Sequence, residues 1–262
     1  MNVSNTTNTK TSMQYQQNRQ QSHNPVISRQ LDPETSMPGT WGANTAPLTV
    51  GNVASKSWLA LAFLIAGAVI GWHVPMGIAA VAAIIAFGLG LFLVFKRTPL
   101  GAGSVLTYAV IEGVALGAVS AASQARYPGI VIAALSGTVI AFLVVLIAFM
   151  FGLRANPKIT RIVGLMGWAY VAYLFVSLGI AMFTGFDTGS VSVMGIPLGA
   201  ILGSIAVGMG VYYILVDFTD ITEAVHSGAS ENLAWTLVFG LMLSIIWVYI
   251  ELLRVLRYVW GD

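Results

Sequence analysis

The sequence predicts an all-α polytopic membrane protein, a seven-transmembrane-helix bundle behind a disordered N-terminal tail. Three observations carry that reading. Only 8% of the 262 residues are charged, against about a quarter in soluble domains. Hydrophobic residues make up 57% and the mean hydropathy is +0.82. From residue 57 onward, apolar runs long enough to cross a hydrocarbon core of about 30 Å follow one another, split by short polar breaks. Backbone groups in lipid must bond within their own segment, which makes helices the default. A β-barrel would show alternating strands of about ten residues instead.

Residues 1–55 are a different material. They are rich in Asn, Gln, Ser, Thr and Pro, have few aliphatic side chains and show no sustained period. Such a segment buries too little apolar surface to offset its ordering entropy, so it reads as disordered. It lacks the apolar core of a signal peptide. The transmembrane domain, 56–262, then runs through spans at about 57–74, 75–95, 104–124, 129–151, 162–184, 192–217 and 233–256. The first two meet at His73-Val74-Pro75 with almost no spacer, which predicts a tight hairpin turning on Pro75 and Gly77. The connection between the last two is expected near Ser227–Ser230, with Ser230 capping span seven.

Lys and Arg orient the bundle. The tail and the 2–3, 4–5 and 6–7 connections carry Lys10, Arg19, Arg29, Lys56, Lys96, Arg97, Arg154, Lys158 and Arg161; the other side carries Arg126, Arg254 and Arg257. This bias predicts a cytoplasmic N-terminus. The basic end at Arg254 and Arg257 pulls the other way, so a re-entrant last segment is the alternative. The setting expected is a cell membrane, the bacterial inner membrane. Three small-residue repeats, Gly67-x-x-x-Gly71, Gly113-x-x-x-Gly117 and Gly195-x-x-x-Gly199-x-x-x-Gly203, are expected to let helices approach closely, with bundle packing as their plain purpose.

Composition also excludes chemistry. There is no cysteine, so disulfides, thiol nucleophiles and thiolate metal sites are out. A net charge of +2, scattered along the chain, gives no basis for nucleic-acid binding. Neither a serine-protease nor a paired-aspartate intramembrane site can be assembled, and no phosphate-binding loop or cofactor motif is present. The expectation is a non-enzyme with no cofactor.

What remains are three acids in or at the edges of spans: Glu112, Asp217 and Glu251. A charge at that depth is costly and asks for a function. Asp217 closes the run Gly210-Val-Tyr-Tyr-Ile-Leu-Val-Asp217 and is the candidate proton sensor or cation ligand. Asp220 and Glu223, just beyond it, read as solvated residues at an acidic helix end. Glu112 is either a pore or relay group or an acid bonded to Thr107 or Tyr108. Glu251, three residues before Arg254, reads most simply as an i, i+3 ion pair. Arg254 and Arg257 at the span end are expected to snorkel.

Phe95-Lys96-Arg97 after the first hairpin, Glu112-Gly-Val-Ala-Leu-Gly117 and above all Tyr213-Ile-Leu-Val-Asp217 resemble the Bax inhibitor family over about residues 55–260. The resemblance implies seven helices around a central last one, and a pH-sensitive calcium leak. It also implies two further roles: restraint of cell death in eukaryotic relatives, and binding to a membrane-embedded protease in some bacterial ones. In the calcium-leak members an Asp on span six shares a proton with an Asp on span seven. Asp217 matches the first position. Counting back from the turn puts Ser244 at the second, where no acid stands. Glu251 lies seven residues on, on the same helix face but roughly 10 Å farther along. Glu251 or Glu112 then supplies a displaced partner, or Asp217 titrates alone beside Ser244. Two functions follow as expectations: a leak for calcium or another cation through the lipid bilayer, gated at Asp217, or a non-transporting protein that binds a membrane protease or similar partner. A small-molecule transporter should show inverted repeats, and none is visible.

Overall fold

The structure, a computed structural model, describes residues 46–260, so most of the expected tail lies outside the described residues. Its last ten residues belong to the body. Leu48 is only 2% exposed. The Leu48 N–H donates to the Ala229 carbonyl at 2.8 Å, and the Glu231 N–H donates to the Ala46 carbonyl at 3.0 Å. Helix α1 (Val50–Trp72) therefore starts before the expected residue 57, with the Thr49 hydroxyl accepting from the Asn52 N–H as its N-cap. Lys56 fastens the same stretch to Glu231 at 2.8 Å. An apolar Leu48 and a capping Thr49 inside polar sequence mark where the body begins.

The hairpin between α1 and α2 (Met76–Phe95) turns through His73, Val74 and Pro75; Gly77 lies inside α2 and takes no part in the turn, contrary to expectation. Helices α3 (Ala102–Arg126) and α4 (Ile130–Met150) follow closely. Helix α5 (Pro157–Thr184) begins earlier than residue 162, because Asn156 caps it and Pro157 occupies its first turn. The stretch expected to open span six is instead a small hairpin of β1 (Ser192–Val193) and β2 (Ile196–Pro197). It turns on Met194 and Gly195, both at positive φ. Gly195 is thus outside the helix that the triple glycine repeat supposes.

Helix α6 (Leu198–His226) runs well past Asp217. Buried Ile221 and Ala224 carry its inner stripe for two more turns. It ends where Gly228 takes φ 68°, with Gly228 N–H on Val225 O at 3.1 Å and Ala229 N–H on Ala224 O at 3.0 Å. Asp217 is therefore mid-helix, not at a helix end. Asp220 is 4% exposed instead of solvated, and Glu223 is half-buried. A short 3-10 turn, Glu231–Leu233, leads into α7 (Ala234–Trp260) with Ser230 as its cap. Helix α7 is one unbroken helix, long enough to cross a hydrocarbon core in a single pass.

Among the described residues, seven helices are long and apolar enough to cross a membrane. Helix α7 packs against α6, α4, α1 and α3, and so forms the centre. Helices α2, α4 and α5 turn large apolar side chains outward, as lipid-facing helices do.

The tightest crossing joins α1 to α3. A Cβ on Gly67 or Gly71 would strike the Val110 or Val114 carbonyl, and one on Gly113 or Gly117 the Leu64 or Ala68 carbonyl. The two sequence repeats face each other backbone to backbone, so their purpose is bundle packing within one chain. Gly117→Val should therefore destabilise the chain by about 1–3 kcal/mol, read from unfolding in detergent, since overpacking must push the helices apart. Gly88→Ala, where a Cβ meets nothing within 4 Å, should be neutral or slightly stabilising.

Candidate functional site

The seam between α6 and α7 carries two of the three intramembrane acids. At its middle, the Ser244 hydroxyl donates to Asp217 Oδ2 at 2.5 Å. Position 244, reached by counting from the turn, thus faces Asp217, with a hydroxyl where a second carboxylate would make a pair. The same hydroxyl lies 3.3 Å from the Gly240 carbonyl. Gly240 makes the contact possible: a Cβ there would sit 3.1 Å from Asp217 Oδ1. Asp217 is half-buried, with Tyr213 one turn before it and Asp220 one turn after, both within electrostatic reach.

A layer of close packing follows. Trp247 Nε1 donates to the Ala206 carbonyl at 2.9 Å. Gly210 has no room for a side chain, because a Cβ would fall 2.7 Å from both Trp247 and Val248. This layer separates the middle of the seam from its far end, about 10 Å further along α7.

At the far end Glu251 is 3% exposed and fully engaged. Tyr170 of α5 donates to Glu251 Oε2 at 2.6 Å. Arg254 Nη1 lies 3.2 Å from Oε1 and also donates to the Tyr170 hydroxyl at 2.6 Å. The expected i, i+3 pair is present, but it is buried and bridged by a tyrosine from another helix. Arg254 is held in this triad and does not simply snorkel to the interface. Beyond it, Tyr258 fills the notch left by Gly189 and Gly199, its hydroxyl 3.4 Å from Asp187.

Glu112 stands apart on α3. It is half-buried and has the Tyr108 hydroxyl, one turn back, as its partner. No hydrogen bond or ion pair among the described residues joins it to Asp217 or Glu251, so neither acid is brought in as the displaced second carboxylate. Among the described residues no three His, Asp or Glu side chains gather into a metal cage. A calcium ion takes six to eight oxygens, so Asp217 by itself offers a passing contact, not a resident site. Sequence reasoning missed Tyr170, Trp247 and Gly240. Only Gly240 left a signal, standing one turn before Ser244 on the same face.

A helical membrane bundle with an acid bonded across its central seam is the class of protein that fold and site define. The family model described as Bax inhibitor 1 like matches residues 3–261, and the chain belongs to that family. The match reaches into the N-terminal segment, beyond the resemblance at residues 55–260. No curated protein matches the chain.

Ser244→Ala should remove the one hydroxyl seen to bridge Asp217 across the seam. A hydrogen bond inside a membrane bundle contributes about 1 kcal/mol, so the unfolding midpoint in detergent should fall modestly. Ser244→Thr, which keeps the hydroxyl, should retain most of it.

Proposed function

We propose that the chain is a pH-sensitive cation leak, with calcium as one cargo, and that the Asp217–Ser244 contact is its gate. The observation that supports this reading is that contact itself: an acid in the middle of a spanning helix whose side-chain hydrogen bond crosses between the two helices that would have to part. Protonated, Asp217 carries no charge, and the seam stays closed. Ionised, it has one hydroxyl donor across the seam and, among the described residues, no basic residue bonded to it, so a hard cation becomes a favourable neighbour. Among the described residues no second carboxylate is hydrogen-bonded to Asp217, so the gate lacks the shared proton of a bonded carboxylate pair, with buried Asp220 one turn on as the nearby acid. The cargo would pass the Trp247 layer and leave beside Glu251, whose Arg254 partner is itself a tethered cation. On the Lys and Arg bias, the N-terminus faces the cytoplasm of a bacterial inner membrane. The role is non-enzymatic.

The test is calcium flux in proteoliposomes at about pH 6 and pH 8. Wild-type flux should rise several-fold with pH, and Asp217→Asn should be low and flat. A variant with wild-type flux and pH profile overturns the gate. Ser244→Asp should restore a carboxylate pair and split the pH profile into two steps. Absence of flux at either pH would favour a non-transporting protein that binds a membrane partner.

A further inference from the structure

A cleft of about 340 Å³ opens between α5 and the α6–α7 pair, beside Arg254. One face of α5 forms its wall: Tyr170, Tyr173, Leu174, Ser177 and Leu178. The cleft has a roof and a floor. The Thr188 hydroxyl bonds to Ser177 at 2.5 Å and to Tyr173 at 3.5 Å, which ties the 3-10 turn Thr188–Ser190 over the top. Below, the Tyr170 ring packs on Trp247 with centroids 5.9 Å apart. The helix surfaces beside the cleft are apolar and exposed, with Val176, Leu178 and Ile205 at 62%, 56% and 47%, so the cleft borders a surface that faces hydrocarbon.

Arg254 lines the inner end of the cleft. Arg254 makes its protein contacts through Nη1; its Nε and Nη2 have no acceptor among the described residues. One side of its planar fork is thus unused, and that is the geometry that takes a phosphate bidentately. Arg257, one turn on, adds charge, and its buried Nε is also without a partner. The nearby acids are accounted for: Glu251 by Tyr170 and Arg254, and Asp187 by the Tyr258 hydroxyl and the Gly189 N–H. Arg254 lies six residues before Trp260, where α7 ends. That is roughly 9 Å along the axis. Since a 27-residue helix is longer than a 30 Å core requires, this depth is near the headgroup boundary. A basic pocket between transmembrane helices at that level suits a phospholipid headgroup.

We propose that this cleft binds one membrane phospholipid, its phosphodiester on the free side of Arg254 and one acyl chain leaving sideways past Leu178 and Leu202. The lipid would complete the poorly packed contact of α5 with the bundle, and the proposal stands whether or not the chain conducts. Native mass spectrometry of the full chain in detergent tests it with three additives. Phosphatidylglycerol has both phosphate and chains, diacylglycerol has chains alone, and glycerol phosphate has the headgroup alone. One phosphatidylglycerol should be retained per chain, and neither additive lacking one part should bind comparably. Arg254→Gln should weaken retention at least tenfold, and Arg254→Lys, a point charge without the fork, should fall between. Ala181→Trp fills the cleft and leaves the Glu251–Arg254 pair intact, so it guards against simple misfolding; it should also lose the lipid while keeping its unfolding midpoint. Equal retention in Arg254→Gln and Ala181→Trp overturns the site. So does diacylglycerol binding as well as phosphatidylglycerol, and strong binding of glycerol phosphate would make it an anion site instead of a lipid site.

Discussion

Lipid gives helices no hydrophobic reason to associate, since the surrounding chains are as apolar as leucine. Close van der Waals contact has to hold the bundle instead, and in this chain glycine supplies it. Gly67 and Gly71 meet Gly113 and Gly117 where α1 crosses α3, with carbonyls where side chains would otherwise stand. The same device sets the α6–α7 seam. Gly199 admits Tyr258, Gly203 admits Val255, and Gly210 admits Trp247 and Val248. Each fit fixes how far one helix can slide along the other.

That register decides the chemistry of the seam. With Gly210 locked under Trp247 and Val248, Asp217 meets the residue one turn before Trp247, which is Ser244. Gly240 leaves the space its carboxylate needs. Glu251 falls two turns beyond Ser244 on the same face, too far to share a proton with Asp217, and a tyrosine from α5 takes it up. One acid is poised between two helices with a single hydroxyl; the other is locked into a buried triad. Their environments differ although both are carboxylates on one seam: Asp217 meets one hydroxyl across it, and Glu251 is held by Tyr170 and Arg254.

The outer helices obey a looser constraint. Helix α5 has only Gly167 and Tyr170 buried along its length, yet Tyr170 is the residue that bridges Glu251 and Arg254. A helix attached by so few contacts leaves space beside it, and in a membrane lipid fills such space. At the opposite end of the bundle, Leu48, Lys56 and Glu231 tie the start of α1 to the α6–α7 turn. The two ends of the seam are therefore held differently, one by backbone pairing and the other by buried side chains.

Seven spans were legible because hydropathy and length are local properties, and lipid rewards nothing else at that scale. Turn chemistry was half legible. Ser230 capped as its type suggests, but Gly77 went into a helix, and Met194-Gly195 made a hairpin inside an apolar run. The end of α6 was misread at Asp217, because an acid there looks like a helix terminus until the buried Ile221 and Ala224 beyond it are seen. At the site, sequence counting reached Ser244, because two helices joined by a short turn must pair residues equidistant from it. Tyr170, the Trp247 layer and the isolation of Glu112 could not be read that way, since they depend on which helices become neighbours. Hydropathy alone was enough to say that this chain lives in lipid and crosses it seven times, and counting from the turn put Ser244 among the residues that Asp217 could meet. That Asp217 meets Ser244, and that Glu251 is tied to Tyr170 and Arg254, came from the folded chain, because burial and partnership belong to the packing of helices far apart in sequence.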